Sequence, residues 1–231
     1  MGERRLALVS ARPLRDAKEM KHRRFHPLQI ITYIAVWIPL TVLLWDLTHD
    51  NLGADIIREA TLRTGKTALV LLVLSLACTP VSTILNYKPL LKLRRPLGLY
   101  SFMYASIHFS IFIGVDYFFD LTLIKEALLE KRFAIVGLTT GLILLILAVT
   151  STQGWKRRLK KRWNQLHKLA YVAGFLATVH YVWLVKQGVV EPWIWMGVVL
   201  ILLLARVPPV KKFTLAVRRR SSSLIMMMMQ K

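Results

Sequence analysis

Six long apolar stretches dominate this chain, and they constrain its fold more than any other feature. A bilayer core about 30 Å thick requires roughly 20 apolar residues per helix, and a helix satisfies its own backbone hydrogen bonds there. The sequence therefore predicts an all-α integral membrane protein, a six-transmembrane-helix bundle within residues 28–207. Its spans are predicted at 28–45, 66–84, 96–119, 133–151, 164–186 and 190–207.

The charge distribution predicts the orientation of these spans. The chain has 231 residues, 55% of them hydrophobic, yet it carries 33 Lys and Arg against 12 Asp and Glu, a net charge of +21. A composition with this many hydrophobic residues argues against a nucleic-acid-binding protein and against an ordinary soluble enzyme. The side that holds both termini carries 26 basic and three acidic residues, and the opposite side carries seven basic and nine acidic. Because basic loops stay in the cytoplasm, both termini are predicted to be cytoplasmic.

Two basic segments flank the predicted membrane domain, at 1–27 and at 208–231. Their charge also predicts attraction to anionic lipid head groups. The chain has one cysteine, Cys78, which excludes a disulfide scaffold and any cysteine-based zinc or iron–sulfur site.

Three histidines lie inside predicted spans, where an ionisable side chain is costly and usually functional. His108 is 12 residues past Pro96 and His180 is 16 residues past Asn164, so they stand roughly 18 and 24 Å along their helices. Both helices start from the cytoplasmic side, which predicts similar depths in the outer half. Two neutral imidazoles at one depth can ligate the iron of a flat cofactor from both sides. His167 lies roughly 20 Å below His180.

Small residues accompany each of these histidines at helical spacing, and they have two interpretations. They could leave a slot for a porphyrin, or they could serve plain helix–helix packing in the membrane. The residues are Gly98, Ser101 and Ala105 near His108, Ala173 and Ala177 near His180, and Ala170 and Gly174 near His167.

The two histidines of the fifth span do not share a face of an ideal helix. Thirteen residues at about 100° each leave an offset of roughly 220° between His167 and His180. Two separate sites or a local distortion of the helix are therefore both compatible with the sequence.

At these residues the sequence resembles the MsrQ family, also called YedZ, of the ferric-reductase-like transmembrane group. The resemblance runs from about residue 28 to 210. Matching segments lie at 52–55, 64–69, 79–80, 94–99, 150–152 and 163–169, and include Ala105-Ser106-Ile107-His108 and His180-Tyr181-Val182-Trp183.

The resemblance implies a haem-binding electron-transfer subunit of a bacterial inner membrane, without catalytic residues of its own. It implies electrons drawn from the quinone pool or a cytosolic flavin reductase. They would pass to MsrP, a periplasmic molybdopterin enzyme that repairs methionine sulfoxide in oxidised periplasmic proteins. The implied cofactors are haem b, one or two per chain, and FMN. Alternatives are a stand-alone ferric or quinone reductase of the same group, and a haem-free transporter or anchor.

The resemblance also implies roles for individual residues. His108 and His180 match the outer haem pair, and His167 matches the inner ligand of the fifth helix. The wider group has a further histidine where this chain has Arg94, and a guanidinium is a poor iron ligand. The inner site could therefore hold a haem with an unusual or missing sixth ligand, or a flavin or quinone. Arg94 would then pair with a propionate or a phosphate, or would simply anchor the helix at the cytoplasmic face.

Overall fold

The computed structural model describes residues 26–185 and 188–206, and every regular element within them is a helix. The all-α prediction is confirmed for this part of the chain. The predicted basic tail at 208–231 lies outside the described residues, as does the basic segment 1–27 except for His26 and Pro27. The helices are α1 Pro27–Ala35, α2 Ile38–Thr48, α3 Ile56–Leu85, α4 Arg94–Ser110, α5 Leu121–Glu130, α6 Arg132–Val149, α7 Gln153–Leu159, α8 Lys161–Leu166, α9 Leu169–Leu184 and α10 Glu191–Leu204.

Two shorter elements complete the chain trace. A 3₁₀ turn, Lys88–Lys92, leads into α4, and a π-helical turn, Ile111–Asp116, continues it. The segments between the first and second predicted spans and between the third and fourth are partly helical. Helix α3 begins at Ile56, and α5 occupies most of 120–132. Asp55 caps α3 by accepting a hydrogen bond from the Arg58 amide, and Asp120 caps α5 in the same way.

Within residues 26–185 and 188–206, four stretches are long and apolar enough to cross a membrane: Pro27–Thr48, Ile56–Leu85, Lys88–Asp116 and Arg132–Val149. They match the first four predicted spans. The fifth and sixth predicted spans correspond to α9, with 16 residues, and α10, with 14. At 1.5 Å per residue these helices measure about 24 and 21 Å, less than the thickness of a typical bilayer core. The count of six spans therefore stays a prediction.

Helix α3 lies at the centre of the bundle. Its residue Leu71 packs with Leu97 and Tyr104 of α4, whereas Val73 packs with Val199 of α10. A third cluster joins α3 to α6 and α9 through Leu72, Leu144 and Ala173. One helix thus contacts both halves of the chain and holds α4 and α9 in place on either side.

The first predicted span is interrupted between α1 and α2, at the middle of the stretch. Pro39 lies in the first turn of α2, as expected of a proline that breaks a helix. The Tyr104 hydroxyl donates to Val36 O (2.7 Å) and accepts from Leu40 N (3.1 Å), two groups that an unbroken helix would join directly. The insertion of this side chain into the hydrogen-bond ladder accounts for the break.

Pro80 lies inside α3 without ending it. A proline has no N–H, so the carbonyl four residues earlier, that of Leu76, loses its helical donor. The Arg206 guanidinium replaces that donor with a hydrogen bond to Leu76 O. Arg206 lies two residues past the end of α10, and its side chain reaches back into the bundle.

Candidate functional site

The structure brings His108 of α4 and His180 of α9 together. Their ring centroids are 6.2 Å apart and their planes are nearly perpendicular, at 89°. The prediction that they share one depth is confirmed by this contact. We call these two residues the paired-histidine site.

A backbone carbonyl fixes each ring of the site. His108 Nδ1 lies 2.8 Å from Thr61 O of α3, and His180 Nδ1 lies 2.7 Å from Phe133 O of α6. A carbonyl oxygen can only accept, so the proton must reside on Nδ1 in both rings. Each Nε2 is then left with its lone pair, which is the form of neutral imidazole that ligates a metal.

Two glycines give the rings the space that they occupy. A Cβ on Gly65 would lie 2.9 Å from His108 Nδ1, and a Cβ on Gly137 would lie 2.7 Å from His180 Cε1. Each glycine follows the carbonyl acceptor by four residues, so it lies one helical turn further along the same face. Sequence reasoning did not single out either glycine. The available indication was a glycine in or beside an apolar span, since Gly137 lies within the fourth predicted span and Gly65 directly precedes the second.

The separation of the two rings is compatible with one metal ion between them. If both Nε2 atoms faced the ion from opposite sides, metal–imidazole bonds of about 2.0–2.1 Å would put the ring centroids roughly 6 Å apart. The observed centroid separation is 6.2 Å. In the described part of the chain no group of three or more His, Cys, Asp or Glu side chains could hold a metal. Two protein ligands alone suit a metal whose other ligands come from a macrocycle, as in haem.

The small residues beside the paired-histidine site lie in helix–helix contacts. Ser101, which is fully buried, donates to Ala68 O of α3 (2.8 Å). Gly98 faces the Ser75 hydroxyl, and Ala173 packs between α3 and α6. These contacts correspond to the packing interpretation, whereas Gly65 and Gly137 are the small residues in contact with the histidines.

An open groove with a volume of about 550 Å³ runs along the second half of α4 and the π-helical turn that follows it. This volume lies within the usual range for small-molecule sites, roughly 300–1,000 Å³. It is lined by Phe102, Met103, Ser106, Ile107, Ser110, Ile111 and Val115. The groove is mostly apolar, and neither His108 nor His180 is among its lining residues.

His167 lies away from the pair, at the turn between α8 and α9. The turn interrupts the predicted fifth span at His167 and Lys168, which confirms the local distortion that the 220° offset suggested. The ring stacks on Trp163 (centroids 4.0 Å apart), and Nε2 makes a long contact of 3.4 Å with Thr150 Oγ1. This environment differs from the short carbonyl hydrogen bonds that fix the other two histidines.

Arg94 begins α4 and lies near His167. Its carbonyl accepts a hydrogen bond from the Ser75 hydroxyl of α3 (2.7 Å). Arg94 is half-buried as a residue, and its charge is within electrostatic range of the His167 ring. The structure thus groups the four predicted site residues into two sets, with His108 and His180 together and His167 near Arg94.

Comparison with known proteins identifies the family of this chain. Residues 64–179 match the family described as ferric reductase like transmembrane component. A protein from Xanthomonas campestris pv. campestris (strain B100), named protein-methionine-sulfoxide reductase heme-binding subunit MsrQ, is 41% identical over 177 residues, which cover 74% of this chain and 81% of that protein.

Two further proteins of the same name are similarly close. The one from Xanthomonas axonopodis pv. citri (strain 306) is 42% identical over 159 residues, 69% of this chain and 73% of that protein. The one from Xanthomonas euvesicatoria pv. vesicatoria (strain 85-10) is 39% identical over 179 residues, 75% of this chain and 82% of that protein. At this identity and coverage, and with the ferric-reductase-like match, the chain belongs to the MsrQ family.

Proposed function

We propose that this chain is the haem b electron-transfer subunit of a periplasmic methionine-sulfoxide reductase. It accepts electrons from the quinone pool or from a cytosolic flavin reductase and passes them to MsrP, the molybdopterin enzyme that repairs oxidised periplasmic proteins. The names of its relatives support the haem and the reductase system. The geometry of the paired-histidine site supports an electron carrier.

The observation that carries the proposal is the pair of hydrogen bonds from Nδ1 to Thr61 O and Phe133 O. They hold His108 and His180 in the tautomer and the orientation that leave both Nε2 atoms free for one metal. A haem bound there supplies reversible one-electron chemistry at iron. His108 and His180 would both be used in holding that haem, so neither is left to act on a substrate. The chain's residues thus favour electron transfer over catalysis at the metal.

We place this subunit in the bacterial inner membrane with six spans and both termini in the cytoplasm. The charge difference between the two sides supports this orientation. In it, α9 and α10 act as short fifth and sixth spans, and residues 1–27 and 208–231 form basic cytoplasmic segments. The paired-histidine site then lies towards the periplasm, next to the electron acceptor, and the opposite end faces the donor.

We assign a second cofactor position to the end that carries His167 and Arg94. One candidate occupant is a second haem b with His167 as a ligand, and the other is FMN or a quinone. Arg94 supplies a positive charge for a propionate or a phosphate in either case. The haem content per chain distinguishes the two candidates.

The test is a reduced-minus-oxidised absorption spectrum of the full chain purified in detergent, with haem quantified per chain. We expect sharp b-type bands. A ratio near one would assign haem to the paired-histidine site alone, and a ratio near two would give His167 a haem of its own. Absence of haem after expression with ample haem supply would refute the proposal.

The match to the ferric reductase like family also supports a second candidate function, that of a stand-alone ferric or quinone reductase. The two functions differ in their electron acceptor. We expect the reduced, purified subunit to be reoxidised by MsrP and to leave ferric chelates unreduced. Rapid reduction of a ferric chelate without MsrP would favour the alternative.

A further inference from the structure

Residues 111–131 join α4 to α6 at the end of the bundle that carries the paired-histidine site. We call them the α4–α6 connection. It begins three residues after His108 with the π-helical turn Ile111–Asp116, and it contains α5. It ends two residues before Phe133, whose carbonyl holds the His180 ring. The connection therefore runs from one histidine of the site to the anchor of the other.

Side-chain contacts join the two ends of the connection. The Phe112 ring, one helical turn past His108 in the chain, contacts the Tyr117 ring, with centroids 4.7 Å apart. The Tyr117 hydroxyl accepts a hydrogen bond of 2.9 Å from Lys131 Nζ, immediately before α6. The start and the end of the connection are therefore held against each other next to the paired-histidine site.

Two consecutive phenylalanines of the connection have a backbone conformation that residues with a side chain rarely adopt. Phe118 and Phe119 have φ values of 48° and 59°, in the left-handed region, where a Cβ is crowded. A hydrogen bond of 2.8 Å from Phe119 N to Ile113 O stabilises this turn. Gly114 makes room for it, because a Cβ there would lie 3.1 Å from Phe119 Cζ. Strained turns of this kind are concentrated at binding and active sites.

The strained turn presents its apolar side chains outward. Phe118 is 79% exposed, Phe119 is 71% exposed and Leu121 is 81% exposed. Asp116 and Asp120 lie on either side of the two phenylalanines in the chain, and Asp120 caps α5. The three exposed apolar side chains lie within four residues of one another. We call them the Phe118 patch.

The charge of the connection favours a soluble protein over the lipid surface as the occupant of this patch. The connection contains four acidic residues, which we call the acidic rim, and two lysines: Asp116, Asp120, Glu126, Glu130, Lys125 and Lys131. Helices that lie in a membrane interface usually carry Lys and Arg on their polar face, and a carboxylate is costly in a bilayer. The ion pairs among the described residues use Asp46, Glu59 and Glu191, so the negative charge of the rim is left for a partner.

We propose that the Phe118 patch and the acidic rim form the docking surface for the soluble electron acceptor of the proposed function. The surface fits a protein that presents an apolar patch surrounded by Lys and Arg. Aromatic side chains are enriched at the centres of protein interfaces. Electron-transfer partners meet over small areas, below about 1,200 Å² in total, so one apolar turn can orient them. The identity of the acceptor rests on the proposed function, whereas the position of the surface rests on the geometry of the connection.

The first measurement is the dissociation constant of MsrP for the full chain in phosphatidylcholine nanodiscs, which requires no electron transfer. Phe118→Asn removes the aromatic ring, and folding should be retained because asparagine tolerates the left-handed backbone. We expect binding to weaken about tenfold. Leu85→Gln is the matched control, because Leu85 is 64% exposed but ends α3 at the opposite end of the bundle. It should leave the dissociation constant unchanged.

The acidic rim is tested through the association rate of MsrP at low ionic strength. Glu126→Gln should slow association about two- to threefold, because it removes a charge that attracts a basic partner. Lys125→Gln, its neighbour in α5, should accelerate association by a similar factor. Both effects should disappear at about 0.5 M salt. Faster association in Glu126→Gln would show that the surface does not meet a basic partner, and would contradict the inference.

Insertion of the Phe118 patch into the bilayer is the competing outcome. A spin label is attached to Phe118→Cys in a chain that also carries Cys78→Ala, so that one thiol is labelled. Collisions of the label with oxygen report lipid, and collisions with a water-soluble nickel chelate report water. Docking requires a label that the chelate reaches. A label reached by oxygen alone would show lipid insertion and overturn the inference.

Electron transfer is measured separately, by mixing the reduced subunit with MsrP and following the loss of its reduced absorption spectrum. Normal transfer together with wild-type affinity in Phe118→Asn would show that the docking surface is wrong and the proposed function right. Binding that depends on Phe118 without any transfer would support the docking surface and contradict the proposed function. A wild-type chain that does not bind MsrP would refute the inference.

Discussion

His108 and His180 are each bound to a carbonyl that lies 47 residues earlier in the chain, Thr61 O for the first and Phe133 O for the second. The two hydrogen bonds belong to two helix pairs, α3 with α4 and α6 with α9. In both pairs a glycine one turn past the carbonyl makes room for the ring. The two histidines are therefore held in the same way by two different helix pairs, and a change in either pair would disrupt the paired-histidine site.

The ligand assignment predicts different results for the three histidines. His108→Ala or His180→Ala should abolish the low-spin b-type spectrum expected of haem at the paired-histidine site, since one of the two imidazoles that would hold it is lost. His167→Ala should leave that spectrum unchanged. The measurement is the reduced-minus-oxidised spectrum with haem quantified per chain. Wild-type spectra in all three variants would show that the assignment is wrong.

Gly65 and Gly137 should be as important for haem binding as His108 and His180. In Gly65→Ala or Gly137→Ala, the added methyl group would lie within 3 Å of a histidine ring, so we expect haem occupancy to fall severalfold. The matched control is Gly141→Ala, one turn beyond Gly137 in α6, because a Cβ there meets nothing within 4 Å. Alanine favours a helix over glycine by about 0.5–1 kcal/mol, so the control should be neutral or slightly more stable. Equal haem loss in all three variants would contradict the proposed role.

The span pattern and the histidines could be predicted from the sequence because both depend on local information. Apolar length defined the first four spans, and residue counts placed His108 and His180 at one depth. The turn at His167 was suggested by the 220° offset, but its position between α8 and α9 depends on contacts with Trp163 and Thr150. Helix lengths were less predictable, since α9 and α10 are shorter than their apolar stretches.

The roles of Gly65, Gly137 and Arg206 could not be predicted from the sequence. Each depends on an atom of another helix at a defined position: a histidine ring in two cases and the Leu76 carbonyl in the third. No periodicity within one helix specifies such a contact. Pro80 did indicate an unpaired carbonyl in α3, but nothing local indicated that a residue 126 positions later would supply the donor.

Tyr104 should contribute to stability through its hydroxyl. Tyr104→Phe removes the hydroxyl that joins Val36 O to Leu40 N, and the Tyr104 side chain is only 1% exposed. We therefore expect the free energy of unfolding to fall by about 1–3 kcal/mol. Tyr100→Phe is the control, because the Tyr100 ring makes edge contacts with aromatic neighbours that phenylalanine preserves. The free energy of unfolding is measured by denaturation in mixed micelles. A loss in Tyr100→Phe equal to that in Tyr104→Phe would contradict the role of the bridge.

Arg206 and Pro80 should be coupled, because the proline creates the carbonyl that the arginine binds. Arg206→Met removes the donor to Leu76 O and should lower the free energy of unfolding by about 1–3 kcal/mol. Pro80→Ala restores an N–H for that carbonyl inside α3, so in its presence Arg206→Met should cost less. A double-mutant cycle on the full chain measures this difference, which we expect to exceed 0.5 kcal/mol. Strictly additive effects would show that Arg206 stabilises the bundle only through its hydrogen bond to the Tyr171 hydroxyl of α9.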